Sequence, residues 1–519
     1  MLAILDTAVV HGLRGELVRV EVDIANGLPS FSIVGLPDAA LSEARERVRS
    51  AIRNAGFAYP LSRITVNLAP ADRRKHGAAY DVAIAIGILL ANEQIRASSG
   101  SWALLGELSL DGSIRPVPGV LPMVATLRAS GHRRICVPLA NVAEASLVEE
   151  VEIVGAEGLD DVARLIAGPR GRTAAKAKRR KAIRIARGAE PTETDRLAPD
   201  EATELADLRG QEQARWALEV AIAGRHNLLL VGSPGAGKTM LARAAPRLQP
   251  LLTEPEAREV AVIRSVCGLE TTSDDRLFRP FRNPHHTTSY AAMVGGGPRL
   301  RPGLVTQAHH GVLFLDELAE FPRHVLDALR QPLEDGSVEI VRAHGAVTYP
   351  AELQLIAAMN PCRCGWSGDP ERTCRCPTNE PERYRRRVSG PLLDRIDLRV
   401  VMPRMRPEEI VTLDQPESSY VVGQRILEAW QYSLERNGGI PNARLRGQQL
   451  LHACALTRDA RRASEDLAHR LELTARGVHR MLRVARTIAD LGGHAFVREE
   501  SLAAAASLND RGFEREAAV

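Results

Sequence analysis

The sequence predicts an α/β protein: a P-loop core, with an α+β domain before it and an all-α domain after it. Three observations predict this. Leu228 to Val231 is a short apolar run that passes directly into Gly232-Ser233-Pro234-Gly235-Ala236-Gly237-Lys238-Thr239, the spacing G-x-x-x-x-G-K-[ST] of a phosphate-binding loop. Upstream, runs of alternating apolar and polar residues interleave with an amphipathic helical pattern. Downstream of Pro403, apolar residues recur at three- and four-residue intervals. A chain of 519 residues accommodates about three domains of ordinary size. The boundaries expected are 1–168, a linker 169–200, a core 201–405 and a helical domain 406–519.

In the first domain, strands are expected at Leu17 to Ile24, Ser30 to Val34 and Arg63 to Asn67, with a charged amphipathic helix from Ser42 to Asn54. The opening MLAILDTAVVHG lacks the basic region of a signal peptide. The longest apolar run, Val82 to Ala91, is about half of a membrane span. Seven cysteines, four of them bunched, argue against a secreted disulfide framework. The expectation is a cytoplasmic protein without membrane contact. A formal charge of +4 is mildly basic, so any nucleic-acid surface has to come from clustering. One such cluster is the linker, which carries nine basic residues and no acid between Arg170 and Arg187. It reads equally as a solvated tether or as an arm that touches phosphates.

The core carries the chemistry. Glycines at 232, 235 and 237 let backbone N–H groups face phosphate oxygens, Lys238 places a charge on the β/γ-phosphates and the Thr239 hydroxyl ligates magnesium. Gly232 through Thr239, with Met240 opening the next helix, are the expected nucleotide-binding set, and a nucleoside triphosphate with magnesium is the implied ligand. Gly311 to Leu315 is a short apolar strand ending in Asp316-Glu317. An acidic pair there suits a P-loop: Asp316 holds magnesium through water and Glu317 polarises the attacking water. The strand Leu353 to Met359 ends in Asn360, whose amide has both donor and acceptor to orient that water.

Two stretches between these motifs read as substrate-touching parts. Arg279 to Gly303 mixes arginines, the pair His285-His286 and a glycine triplet without apolar periodicity, so an ordered insertion outside the core is expected. Ser337 to Pro350 reads as a hairpin whose tip carries Arg342 and His344. Cys362, Cys364, Cys374 and Cys376 form two C-x-C pairs separated by nine residues. Four thiolates around one ion favour tetrahedral zinc, although paired zinc ligands are usually two to four residues apart, and reduced free thiols are the alternative. Helices are expected at Val421 to Glu435, Gln448 to Ala453, Thr457 to Leu467, Ala475 to Leu491 and Glu499 to Leu508.

Two resemblances add to this. The order SFSIVGLPDAALSEARERVRSAI, ITVNLAPADRRKHGAAYDVAIAIGILLA, LLGELSLDGSIRPVPGVLPMV resembles the C-terminal domain of Lon proteases, an S5-like fold. By that resemblance the Lon serine falls on Ala79 and its lysine on Leu121, which leaves neither nucleophile nor base. The set GSPGAGKT, GVLFLDEL, AAMNPC and SGPLLDRIDL resembles an AAA+ ATPase of the magnesium-chelatase-like YifB/ComM family over nearly the full length. The resemblance implies that Asn360 is sensor 1, Arg395 an arginine finger serving a neighbouring subunit, and Arg476 sensor 2, with the helical domain as a lid on its own subunit's nucleotide. It also implies a homo-hexameric ring, contact of Arg342 and His344 with nucleic acid, and a helicase promoting branch migration on single-stranded or branched DNA in natural transformation. A chelatase-like or protein-remodelling motor acting on a protein partner is the competing reading.

Overall fold

The computed structural model describes residues 1–35, 39–70, 77–98, 101–168, 202–269, 277–297, 300–342, 345–369, 371–406, 408 and 415–509. The linker expected at 169–200 lies outside the described residues. The chain divides into two compact units. One comprises Met1–Thr192, Ala261–Arg276 and Pro298–Arg301; the other comprises Glu193–Val260, Leu277–Gly297 and Pro302–Val519. Part of the expected core thus belongs to the first unit. The reason is local: Ser265 accepts from Gly119 N at 2.8 Å through its carbonyl and from Leu121 N at 3.2 Å through its hydroxyl.

In the first unit, β1 (Leu2–His11), β2 (Arg14–Ala25), β3 (Ser30–Val34), β4 (Arg63–Ala69), β5 (Ala103–Leu104), β6 (Arg134–Pro138) and β7 (Glu152–Ala156) form one sheet, ordered β3-β4-β2-β1-β5-β6-β7. The hairpin β1–β2 and the pair β2–β4 are antiparallel, and the remaining pairs are parallel. Helix α1 (Ala39–Asn54) covers the charged pattern, while the apolar run becomes α2 (Asp81–Ala91), buried at every position but Leu90; α3 (Val120–Ala129) and α4 (Leu159–Ala167) follow. Asp81 opens α2 inside the core because Arg47 on α1 meets it with two hydrogen bonds, 2.8 and 3.2 Å. Ala79 and Leu121 are both buried apolar side chains. The positions where the Lon resemblance puts its dyad therefore carry only packing groups.

In the second unit, β8 (Leu228–Gly232), β9 (Phe281–Arg282), β10 (Val312–Leu315), β13 (Gln354–Met359) and β14 (Leu398–Met402) form a parallel sheet ordered β9-β10-β13-β8-β14. A separate antiparallel hairpin joins β11 (Ser337–Arg342) to β12 (Gly345–Pro350). β8, β10 and β13 are buried at every residue, as parallel strands covered on both faces should be. One expectation is corrected here. Arg279 to Gly303 is not wholly outside the core, because Phe281–Arg282 pairs with β10 at the sheet edge. The polar stretch can enter the core because Arg279 finds partners: Glu256 takes two bonds, 3.0 and 2.9 Å, and the His310 carbonyl a third at 2.8 Å.

The C-terminal helices are α8 (Ser419–Arg436), α9 (Gly447–Cys454), α10 (Arg458–Arg470), α11 (Ala475–Leu491) and α12 (Glu499–Ser507), following α5 (Glu212–Gly224), α6 (Lys238–Leu248) and α7 (Glu254–Cys267). Ile426, Leu450, Met481, Leu482 and Leu502 share one buried cluster with Leu228, Phe314, Ile356 and Leu398 of the sheet. Among the described residues, no helix is long and apolar enough to cross a membrane.

Candidate functional site

β8 delivers the chain to the P-loop. Gly237, at φ +91°, closes the turn in a left-handed conformation that a side chain would strain, and α6 starts at the next residue. Lys238 Nζ donates to the carbonyls of Gly232 at 2.6 Å and Ser233 at 3.0 Å and to Asn360 Oδ1 at 3.2 Å. Burial lowers its pKa to about 8, against the raising influence of Asp316 and Glu317. Thr239 Oγ1 donates to Asp316 Oδ2 at 2.8 Å, and Asp316 Oδ1 accepts from Glu317 N at 2.9 Å. The structure thus brings Lys238, Thr239, Asp316, Glu317 and Asn360 together at the strands' carboxyl ends. An ammonium held by three oxygens suits exchange onto phosphate oxygens. A hydroxyl touching a carboxylate is the donor pair a hard divalent cation takes.

Three features were not legible in the spacing. Glu317 adopts φ +51°, unusual for a side chain, and its Oε2 lies 3.2 Å from His286 Nδ1. Gln211, at φ +53°, donates from Nε2 to the carbonyls of Pro403 at 2.5 Å and Ala236 at 3.3 Å, tying the P-loop to the end of β14. Glu334 gathers both predicted arginines. Arg395 pairs with it and donates to the Pro391 carbonyl at 2.7 Å, while Arg476 reaches it at 3.3 Å. A cleft of about 390 Å³ is lined by Tyr290, Asp327, Arg330, Glu334 and Arg395.

Arg395 and Arg476 do not join the P-loop. Arg395 precedes β14, and its carbonyl accepts from Asn227, the residue before β8, at 2.8 Å. Because β8 and β14 are parallel and in register from Leu228↔Leu398 to Gly232↔Met402, Arg395 sits at the edge where strands begin. That edge is about 16 Å from the P-loop along five residues of strand. Helix α11 packs there too: Arg480 donates to the Ile396 carbonyl at 3.0 Å and Arg483 pairs with Asp397 at 3.6 Å. The expected lid on its own nucleotide is not the arrangement found for α11.

Two side-chain clusters have the composition of a metal site. The four thiols of Cys362, Cys364, Cys374 and Cys376 lie within 4.8 Å of one another. The spacings 3.4, 3.7 and 3.5 Å among Cys362, Cys364 and Cys374 are near the ~3.8 Å edge of a tetrahedron with ~2.3 Å zinc–sulfur bonds. Amides also point at sulfur, Ser367 N to Cys362 at 3.3 Å and Arg375 N to Cys364 at 3.5 Å, which stabilises thiolates. The second cluster, Glu259, His309 and His310, fits an ion poorly. His309 Nδ1 accepts from Glu352 N at 3.0 Å, so the neutral ring carries its proton on Nε2, which donates to Glu259 at 2.9 Å. Of the remaining predicted residues, the Arg342 side chain and His344 lie outside the described residues.

A parallel five-stranded sheet with a P-loop, an acidic pair and an asparagine at its carboxyl ends, followed by helices, defines an AAA+ P-loop module. Family models described as magnesium chelatase subunit ChlI match residues 204–410, subunit ChlI of Mg-chelatase 20–141, and the ChlI C-terminal region 416–509. The chain is 41% identical to the YifB protein of Escherichia coli, over 98% of this chain and 96% of that one. It is 40% identical to the competence protein ComM of Haemophilus influenzae, over 97% and 96%. A shorter match, 30% identical over 145 residues, joins it to Lon protease 2 of Bacillus subtilis, over 27% of this chain and 26% of that protease. The chain belongs to the YifB/ComM family of magnesium-chelatase-like AAA+ proteins.

Proposed function

We propose that the protein is an ATP-hydrolysing, magnesium-dependent ring motor, a homo-hexamer, that moves on single-stranded or branched DNA and promotes branch migration during natural transformation. The observation that carries the ATPase reading is the convergence of Lys238, Thr239, Asp316, Glu317 and Asn360. Lys238 trades its three oxygen partners for phosphate oxygens, and the incoming charge offsets the burial that depresses its pKa. Thr239 and Asp316 hold magnesium, which supplies charge neutralisation between the β- and γ-phosphates. Glu317 takes the proton of the attacking water, Asn360 positions that water, and Gly232 through Met240 cradle the triphosphate.

The ring reading is supported by where two arginines stand. Arg395 and Arg476 pair with Glu334 at the opposite edge of the sheet, and in the proposed ring they leave it to serve a neighbour's nucleotide. The DNA substrate rests on the competence protein among the relatives and on the basic run 170–187, with Arg342 and His344 as further contacts. The four thiolates hold one zinc ion. The test is the ATPase rate alone, with single-stranded DNA and with a branched junction, using Lys238→Ala as the blank. Stimulation by DNA that vanishes at high salt is expected; a rate indifferent to every DNA would replace this reading with a protein-directed motor.

A further inference from the structure

The cysteine loop is more than an appendage of the sensor strand. It begins two residues after Asn360, whose Oδ1 holds Lys238. Its first turn closes with Gly365 N donating to the Cys362 carbonyl at 3.0 Å. Gly365 adopts φ +85°, and a Cβ there would lie 2.6 Å from Pro234 Cδ and 2.7 Å from Cγ. The turn therefore presses its bare backbone onto the ring of a P-loop residue. Four residues on, Asp369 Oδ1 accepts from Glu371 N at 3.0 Å and Arg372 N at 2.9 Å. Its Oδ2 is buried without a hydrogen bond, and the Ser233 hydroxyl holds the carboxyl below its usual range. The carbonyl of that same Ser233 takes the Lys238 ammonium.

The outer half of the loop is fastened on its other side. Two guanidinium groups lie over the Trp366 ring, Arg372 at 4.4 Å and Arg404 at 5.8 Å, and Glu371 pairs with Arg406 at 3.2 Å. Arg404 follows Pro403, whose carbonyl Gln211 links to Ala236 of the P-loop. Among the described residues, the Gly365 turn and Arg404 thus lead back to the phosphate-binding turn. Within the loop itself, among the described residues, no strand and no helix holds Cys362 to Cys376 in place. The four sulfurs are its centre.

We infer that the four-cysteine centre is a zinc-dependent brace of the P-loop, so that metal occupancy sets how tightly the site binds nucleotide. The inference rests on the zinc reading above. Binding an ion at sites that do not persist in an unstructured loop is folding free energy for that loop, and here the folded loop is what Pro234 and Ser233 lean on. Losing the zinc frees both contacts and lets the turn that presents Lys238 relax.

The experiment uses the full chain and fluorescent ADP with magnesium as the probe. Purified protein is assayed for zinc, stripped with a chelator that is then removed, and assayed again before and after zinc is returned. Gly365→Ala and Asp369→Ala are measured in parallel because they leave the four thiols intact. The expected result is about one zinc per chain, nucleotide affinity weaker by roughly 5- to 10-fold after stripping and restored by zinc, and a similar weakening in both variants at unchanged zinc content. Protein that carries no zinc and gives no tetrahedral thiolate spectrum with cobalt overturns the zinc reading itself. Zinc present with affinity unmoved by stripping, or by both variants where stripping unfolds the protein, overturns the brace and leaves the zinc reading standing.

Discussion

The two ends of the five-stranded sheet are built on different terms. At the carboxyl ends, every group that would touch a triphosphate has a partner within the same chain: Lys238 on Asn360, Thr239 on Asp316, Asp316 on the Glu317 amide. At the amino ends, Arg395 and Arg476 both lean on Glu334, whose carboxyl is held below its usual range by the Arg395 hydrogen bond first and by the charges of Arg395, Arg476 and Arg446 after it. Arg476 is 65% exposed there, with no phosphate-binding turn beside it. A clustered phosphate-binding set at one edge and a pair of cations on Glu334 at the other is the contrast on which the proposed ring rests. In the ring proposed above, one chain would supply the cradle and its neighbour the charge that stabilises the transition state.

The sharpest test of that division is Lys238→Ala, which removes the ammonium from the cradle. Nucleotide-dependent activity should fall to the background in a phosphate-release assay, and fluorescent nucleotide binding should be lost. Arg395→Ala should slow hydrolysis by ~10³–10⁵-fold while leaving nucleotide affinity nearly unchanged, because the arginine belongs to the other edge. Mixing Lys238→Ala and Arg395→Ala subunits should return part of the rate, since some interfaces then pair an intact cradle with an intact arginine. Loss of binding in Arg395→Ala would break the comparison. Glu317→Gln should keep binding and lower turnover by ~10²–10⁴-fold, read by the same two assays.

A smaller effect separates the two units. Asp81 in the first unit is pushed up to about 6 from 3.8 by burial, with Arg47 acting against that shift. Its native form binds the proton more tightly than the unfolded chain, so its contribution is present below pH 4 and lost as pH rises through 6. His309 in the second unit is pushed down to about 4 from 6.5, by burial first and by His310 next. Its contribution is present above pH 6.5 and lost as pH falls toward 4. Glu256 adds to the second trend: burial raises it, but Arg279 outweighs that and holds it at about 2. Protection factors, with the intrinsic pH dependence of amide exchange divided out, for peptides from α2 and from β10 should therefore shift in opposite directions between pH 4 and 6.5. Parallel shifts would show that these groups do not set the local stabilities.

Much of this was legible in the chain. Apolar runs bounded by glycine and acid located β8, β10 and β13, and three- and four-residue periodicity located the five C-terminal helices to within a few residues. The strand Phe281–Arg282 was not legible, because a polar stretch of two pairing residues has no period, and its burial depends on Arg279 meeting Glu256. β1 escaped for a related reason: intermediate burial along its length leaves no clean alternation. Within the site, the P-loop spacing showed Lys238 and Thr239 but was silent on His286 beside Glu317 and on Gln211 beneath Ala236.

What the sequence determined by itself is the local chemistry. A buried strand, a turn of glycines, a lysine and a hydroxyl are adjacent in the chain, so their relative geometry follows from backbone sterics alone. What the tertiary structure decided is which distant groups share that geometry and which do not. Parallel register carries Asp316 and Asn360 to the same edge as Lys238 and leaves Arg395 and Arg476 at the other. It also lays the cysteine turn on Pro234, because only the meeting of β13's exit with the P-loop brings residues 234 and 365 within van der Waals contact. Such contacts depend on strand order, and strand order is settled by burial across the whole sheet rather than by any one stretch of the chain.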